Sequence, residues 1–146
     1  MSFYENDNKI PDTDIIHHIR QILELIGDDA TRIGLVDTPK RVAKMYKELF
    51  KGYDLNQKPK LTVFPNNEDG VVFKGMIIDQ GYFFSTCEHH MVPFFGEYSF
   101  AYIPDGLLIG ASKIGRLVNF HSAKLQILHL ALLGFVELLH LSWLFA

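Results

Sequence analysis

The chain has 146 residues, 48% of them hydrophobic and 13% aromatic, enough for one domain with a buried core. A net charge of −3 leaves no basic footprint and argues against nucleic acid as a partner. The single cysteine excludes an internal disulfide framework, so a reducing compartment is expected.

Residues 1–11 are polar and read as a flexible arm. They lack the basic start and apolar run of a secretory signal, so the expected location is the cytoplasm. A first helix is predicted from Asp12 or Thr13, with Ile15, Ile16, Ile19, Ile22, Leu23 and Ile26 on one apolar face. Gly27 and Asp28-Asp29 end it. A second helix is predicted with Thr38 as cap and Pro39 in its first turn. Val42, Met45, Tyr46, Leu49 and Phe50 form its expected buried face, and Gly52 stops it. Arg41, Lys44 and Lys47 read as its solvated face.

The pattern then turns to strands. Leu61–Phe64, Val71–Asp79 and Tyr82–Thr86 are rich in β-branched and aromatic residues. Residues 95–103 alternate, with Tyr98, Phe100 and Tyr102 on one side, read as core rather than as a stacking platform. Pro104-Asp105-Gly106 is a turn signal, followed by a short strand over 107–110. A third helix is predicted from Ser112, carrying Ile114, Leu117, Val118, His121 and Leu125. His121 reads as a satisfied core histidine, and His17 and His18 as surface or structural groups. Helices, then an antiparallel sheet, then a helix packed on it make an α+β order.

From Ile127 to Ala146 there is no Lys, Arg or Asp, one Glu (Glu137) and two His (His129, His140). The run is long enough to span a bilayer as a helix. Glu137 near its middle would cost about 2.5–3.5 kcal/mol on insertion, and no basic residues flank its C-terminal end, which argues against a membrane partner. A buried helix, an exposed apolar tail and an out-of-frame product all satisfy this composition.

Two constellations carry chemistry. Cys87 and His90 stand three apart, a spacing suited to two ligands of one zinc ion. Between them His89 offers an imidazole for proton transfer near neutral pH. The run follows a predicted strand and precedes Pro93, which places it on a rigid strand-end loop. A three-ligand zinc site would activate a water for attack on an electrophilic carbon. A buried thiol beside two ordinary histidines satisfies the same spacing. The second constellation is Ser112-Lys113-Ile114-Gly115-Arg116. A capped helix start with Lys113 and Arg116 on one face suits a phosphate group, and also describes two solvated cations.

Longer motifs resemble those of the GTP cyclohydrolase I family. Residues 34–44, Gly-Leu-Val-Asp-Thr-Pro-Lys-Arg-Val-Ala-Lys, and 48–53, Glu-Leu-Phe-Lys-Gly-Tyr, resemble its N-terminal helix motif. Residues 85–94, Ser-Thr-Cys-Glu-His-His-Met-Val-Pro-Phe, resemble its metal signature. Residues 101–104 and 109–118 resemble its phosphate segment. Several long motifs in order are specific where each alone is not.

The resemblance implies a tunnelling fold, with N-terminal helices and an antiparallel sheet packed on a helix. It implies an incomplete family-like domain over 12–126, followed by a divergent apolar tail over 127–146. The implied reaction is hydrolysis of GTP at C8, release of formate and formation of 7,8-dihydroneopterin triphosphate, the first step towards tetrahydrofolate and other pterins. Cys87 and His90 would be zinc ligands, His89 the catalytic proton carrier, and Ser112, Lys113 and Arg116 the triphosphate site. The family assembles as a decamer with active sites between subunits.

The likeness stops at Ile127, where Leu128-His129 stands in place of the family's Gln-Glu, and a later His-x-Cys element is not found. The second half of the fold, including the third zinc ligand, is therefore expected to be missing. A shifted reading frame near codon 127 is one explanation, and resequencing the coding DNA there tests it. A non-catalytic truncated subunit or assembly module is the alternative function.

Overall fold

Apolar side chains recur every three or four residues between Ile15 and Ile26, and this stretch coils as that period requires. The computed structural model describes residues 12–67 and 70–127. The arm expected over 1–11 and the tail beyond Ile127 lie outside the described residues. The described residues divide into two compact units, one up to Phe50 and the other from Lys51.

The first unit is a helix pair, α1 (Asp12–Leu25) packed with α2 (Thr38–Leu49). Gly27 ends α1 in the left-handed region at φ 90°, where a side chain would be strained. The N–H of Gly27 bonds the carbonyl of Glu24 and that of Asp28 bonds Leu23, which satisfies the last carbonyls of the helix. Arg32 then grips both carboxylate oxygens of Asp28 through Nε and Nη2, at 2.8 and 2.9 Å. That pairing holds the Asp28 carboxyl down at about 2.

The faces of this pair differ from expectation in detail. Pro39 and Ala43 are the buried residues of α2, while Met45 is exposed. Ile22 on α1 and Ile26 just beyond its end are exposed as well. Periodicity identifies a stripe, but its width is set by what lies opposite. Thr38 is not the cap: Asp37 takes that place, and no side chain bonds the free amides there. The Thr38 hydroxyl instead accepts from Arg41 Nη2 at 3.3 Å.

The second unit begins with two single-turn 3-10 helices, Lys51–Tyr53 and Leu55–Gln57. Strand β1 (Val63–Pro65) pairs antiparallel with β4 (Leu107–Ile109). Strand β2 (Ile77–Cys87) pairs antiparallel with β3 (Pro93–Tyr102) from Ile77↔Tyr102 to Thr86↔Pro93. The stretch predicted as a strand over 71–79 enters the ladder only at Ile77, and it continues through Gly81 into the next predicted strand. Before it, both ends of the Asn66 amide bond the backbone of Phe73, which closes a loop where a strand was expected.

Helix α3 (Ala111–Ser122) packs on β2. Phe83, Ile114 and Val118 form the buried core, with Phe94, Tyr98, Phe100, Tyr102 and Ile109 packed against it. The aromatic stripe of β3 is thus core, as its alternation predicted. A two-residue strand, β5 (Leu125–Gln126), runs parallel beside β2 at Thr86 and Cys87 and makes the sheet order β3-β2-β5. Leu125 was expected on the third helix, but α3 ends at Ser122, and a strand of two residues shows no period that would reveal it. The whole is α+β and fits a fragment of the tunnelling fold.

Candidate active site

Strand β2 delivers Cys87 to the end of the sheet, and the chain turns back through Glu88–Val92. The turn is closed by backbone bonds, Cys87 N–H to Val92 O at 2.9 Å and Met91 N–H to Cys87 O at 2.8 Å. Met91 takes φ 57° to complete it, a conformation that a non-glycine residue keeps only when its surroundings impose it. A third bond, Glu88 N–H to Gln126 O at 3.1 Å, ties the loop to β5. The sequence expectation of a rigid strand-end loop agrees with this geometry.

On that loop Cys87 is half-buried while His89 and His90 are exposed. The Cys87 sulfur lies 3.7 Å from His89 Nδ1. The two imidazoles stand 6.2 Å apart, tilted by 60°. A thiol and an imidazole are the right donor types for zinc. A catalytic zinc takes three protein ligands, and among the described residues no three His, Cys, Asp or Glu groups come together. The described donors therefore fall one short of a zinc site.

The second constellation sits on the first turns of α3. The helix is capped by Gly110, not Ser112, and no side chain bonds its free amides. Gly110 is held by its N–H to Thr62 O at 2.9 Å, and its carbonyl accepts from Lys113 N–H at 2.8 Å. Ser112 and Arg116 are exposed and Lys113 is half-buried. The turn leaves two cations and a hydroxyl at the positive end of a helix.

The structure does not bring the two constellations together within one chain. The Tyr98 hydroxyl, which faces Gly115, bonds Asp79 near the start of β2. At the other end of the helix, Ser85 Oγ donates to Lys124 O at 3.3 Å. So α3 starts beside Asp79 and Gly81 and ends beside Ser85. From Gly81 to Cys87 is six residues of strand, about 20 Å. A cavity of about 500 Å³, lined by Phe64, Phe73, Ile77, Asp79, Tyr102 and Ile114 among others, opens at the start of α3. The Cys87 loop does not line it.

His121 corrects another expectation. Its Nε2 is buried and has no hydrogen-bond partner, so it is not a satisfied core histidine. Burial first, then the Lys124 and Lys58 charges, push its pKa down to about 4. The unfolded chain therefore takes up the proton more readily, and stability is full above pH 6.5 and falls as pH drops towards 4. About 1–2 kcal/mol is at stake after allowance for solvent, since His121 is only half-buried. Urea midpoints at pH 7.5 and pH 5 test this. His121→Phe should flatten the difference, and equal slopes in the two proteins would rule it out.

The family model for GTP cyclohydrolase I matches residues 15–129. The chain belongs to the GTP cyclohydrolase I family. GTP cyclohydrolase 1 of Wolinella succinogenes is 47% identical over 110 residues, which cover 75% of this chain and 57% of that relative. The enzyme of the same name from Hyperthermus butylicus is 49% identical over 109 residues, 75% of this chain and 53% of the relative. That of Clostridium kluyveri is 41% identical over 125 residues, 84% and 62% respectively. The chain thus spans a little over half the length of the curated relatives it matches. No helix among the described residues is long and apolar enough to cross a membrane.

Two features escaped the sequence reading. Gln126 holds the Cys87 loop through its carbonyl and the end of α3 through Nε2, which donates to His121 O at 2.9 Å. The Tyr98–Asp79 bond spans 19 residues and joins two strands. Neither has a local pattern that would reveal it.

Proposed function

We propose that the chain serves the GTP cyclohydrolase I reaction: water adds at C8 of GTP, the imidazole ring opens, formate leaves, and the rest closes to 7,8-dihydroneopterin triphosphate. The observation that carries this reading is the Cys87–His90 run, fixed on a short hairpin loop in a chain of that family. Cys87 and His90 would furnish two ligands of a zinc ion whose set is completed outside the described residues. His89, with Nδ1 against the Cys87 sulfur, keeps Nε2 for exchanging protons with purine and ribose.

Ser112, Lys113 and Arg116 would take the triphosphate. Because they lie at the far end of α3 from Cys87, a single GTP meets both groups only where two copies of the chain meet. An interface-built site in a homo-oligomer, a decamer in the family, fits that separation. Cytoplasmic location and a place at the head of tetrahydrofolate synthesis belong to the same reading. Lys113→Ala and Arg116→Ala should each weaken GTP binding by about tenfold to a hundredfold, since a charge-assisted bond is worth about 1.5–3 kcal/mol. Isothermal titration measures it; unchanged affinity in both variants removes these residues from the site.

The decisive experiment measures pterin triphosphate formed from GTP, with zinc content on the same sample. Product with bound zinc supports the enzyme. Well-folded chain with neither supports the second reading, a non-catalytic assembly module.

A further inference from the structure

We propose that Asp79 and Tyr98 are positioning residues for the triphosphate site, setting the first turns of α3 through Gly115. The inference rests on the reading of Ser112, Lys113 and Arg116 as that site. Tyr98 stands opposite Gly81 across the β2–β3 ladder. Its ring covers Gly81 so closely that a Cβ there would lie 2.8 Å from Cε1. Its hydroxyl then reaches α3, where a Cβ on Gly115 would lie 2.8 Å from the oxygen. The same hydroxyl donates to Asp79 Oδ2 at 2.8 Å. One phenol is therefore wedged between a strand glycine and a helix glycine and locked by a carboxylate.

Gly115 lies between the cations, two residues after Lys113 and one before Arg116. The opposite side of the helix start is pinned separately. Gly110 N–H bonds Thr62 O, and Ile109 N–H bonds the Tyr102 hydroxyl at 2.9 Å. With both sides held, the first turn has little freedom to shift or roll. Two cations that must meet one polyphosphate gain from such a fixed base, because a displacement of about 1 Å is enough to spoil the contacts. Burial, and then Asp79, raise the Tyr98 phenol to about 12, so it stays a donor at working pH.

The test is titration of the full chain with inorganic tripolyphosphate, with melting temperature recorded on each sample. Tyr98→Phe and Asp79→Ala should weaken binding by about threefold to tenfold. Gly115→Ala, which crowds the hydroxyl, should do the same. Asp79→Asn should stay within about twofold of wild type, since its amide oxygen accepts the same bond. Ser85→Ala removes a hydrogen bond at the other end of α3 and should lower the melting temperature without changing affinity. Tyr98→Phe and Asp79→Ala binding like the unaltered chain would overturn the proposal. So would a loss in Ser85→Ala equal to theirs, which would make the effect general softening. If the unaltered chain binds no tripolyphosphate, the site reading fails and the positioning role falls with it. If Lys113→Ala abolishes binding while the Tyr98 and Asp79 variants do not, only the positioning role fails.

Discussion

Phe83→Ala is expected to remove about 3–5 kcal/mol of folding stability, the usual range for deleting a buried aromatic ring. Phe83 is 5% exposed and touches both structural layers of its unit. Ile114 and Val118 of α3 meet it from one side, and the Phe94 ring meets it edge-on at a centroid distance of 6.2 Å. The buried cluster around it is small, with Ile114 and Val118 as its other members among the described residues. A small core has few neighbours able to collapse into the void. Because small domains hold only about 5–15 kcal/mol in total, the variant should sit near its unfolding transition in water. Urea denaturation followed by near-ultraviolet circular dichroism measures it. A loss below about 1 kcal/mol would mean that α3 is held to the sheet by something other than this cluster.

The second large effect comes from adding atoms. Gly52 is buried, and a Cβ there would lie 2.3 Å from the Phe120 carbonyl oxygen and 2.6 Å from that of Ala123. Both obstacles are backbone, so neither swings aside as a side chain would. Gly52 N–H also bonds Ala123 O at 2.9 Å, which fixes the approach. Gly52→Ala must therefore push the first 3-10 helix away from the end of α3. About 3 kcal/mol is expected, at the upper end for overpacking. The damage should reach the Cys87 loop, since residues 122–126 lead from this contact to β5, whose Gln126 holds Glu88. Thermal melting and the solvent reactivity of the Cys87 thiol test both parts. An unchanged melting temperature would show that the two segments part without loss.

The same residue marks what a sequence conceals. Gly52 reads as a helix stop, and it does follow α2. Its close approach to Phe120 and Ala123 involves a partner some seventy positions away, which no local pattern encodes. Tyr98 is similar. Alternation put its ring in the core, correctly, but its hydroxyl's route to Asp79 and Gly115 depends on strand register and helix placement. Errors at helix starts have a different cause. Thr38 and Ser112 are good capping types, but at both helices the cap falls on an earlier residue, Asp37 or Gly110. At α3 the cap residue Gly110 donates its N–H to Thr62 O, a long-range contact that adjacent letters do not encode.

The family, the three helices, most of the strands and the chemical types at the candidate site were legible in the chain alone. Long ordered motifs, hydrophobic period and residue chemistry are local properties, and each is written in adjacent letters. Folding set where those groups stand. It set Cys87 and His90 on a closed hairpin loop and left them without a third donor among the described residues. It laid α3 along β2 so that the cations and the thiol face opposite ends of one helix. It also buried His121 Nε2 without a partner. These outcomes follow from packing one element on another, and such packing joins residues whose separation in sequence carries no trace of their meeting.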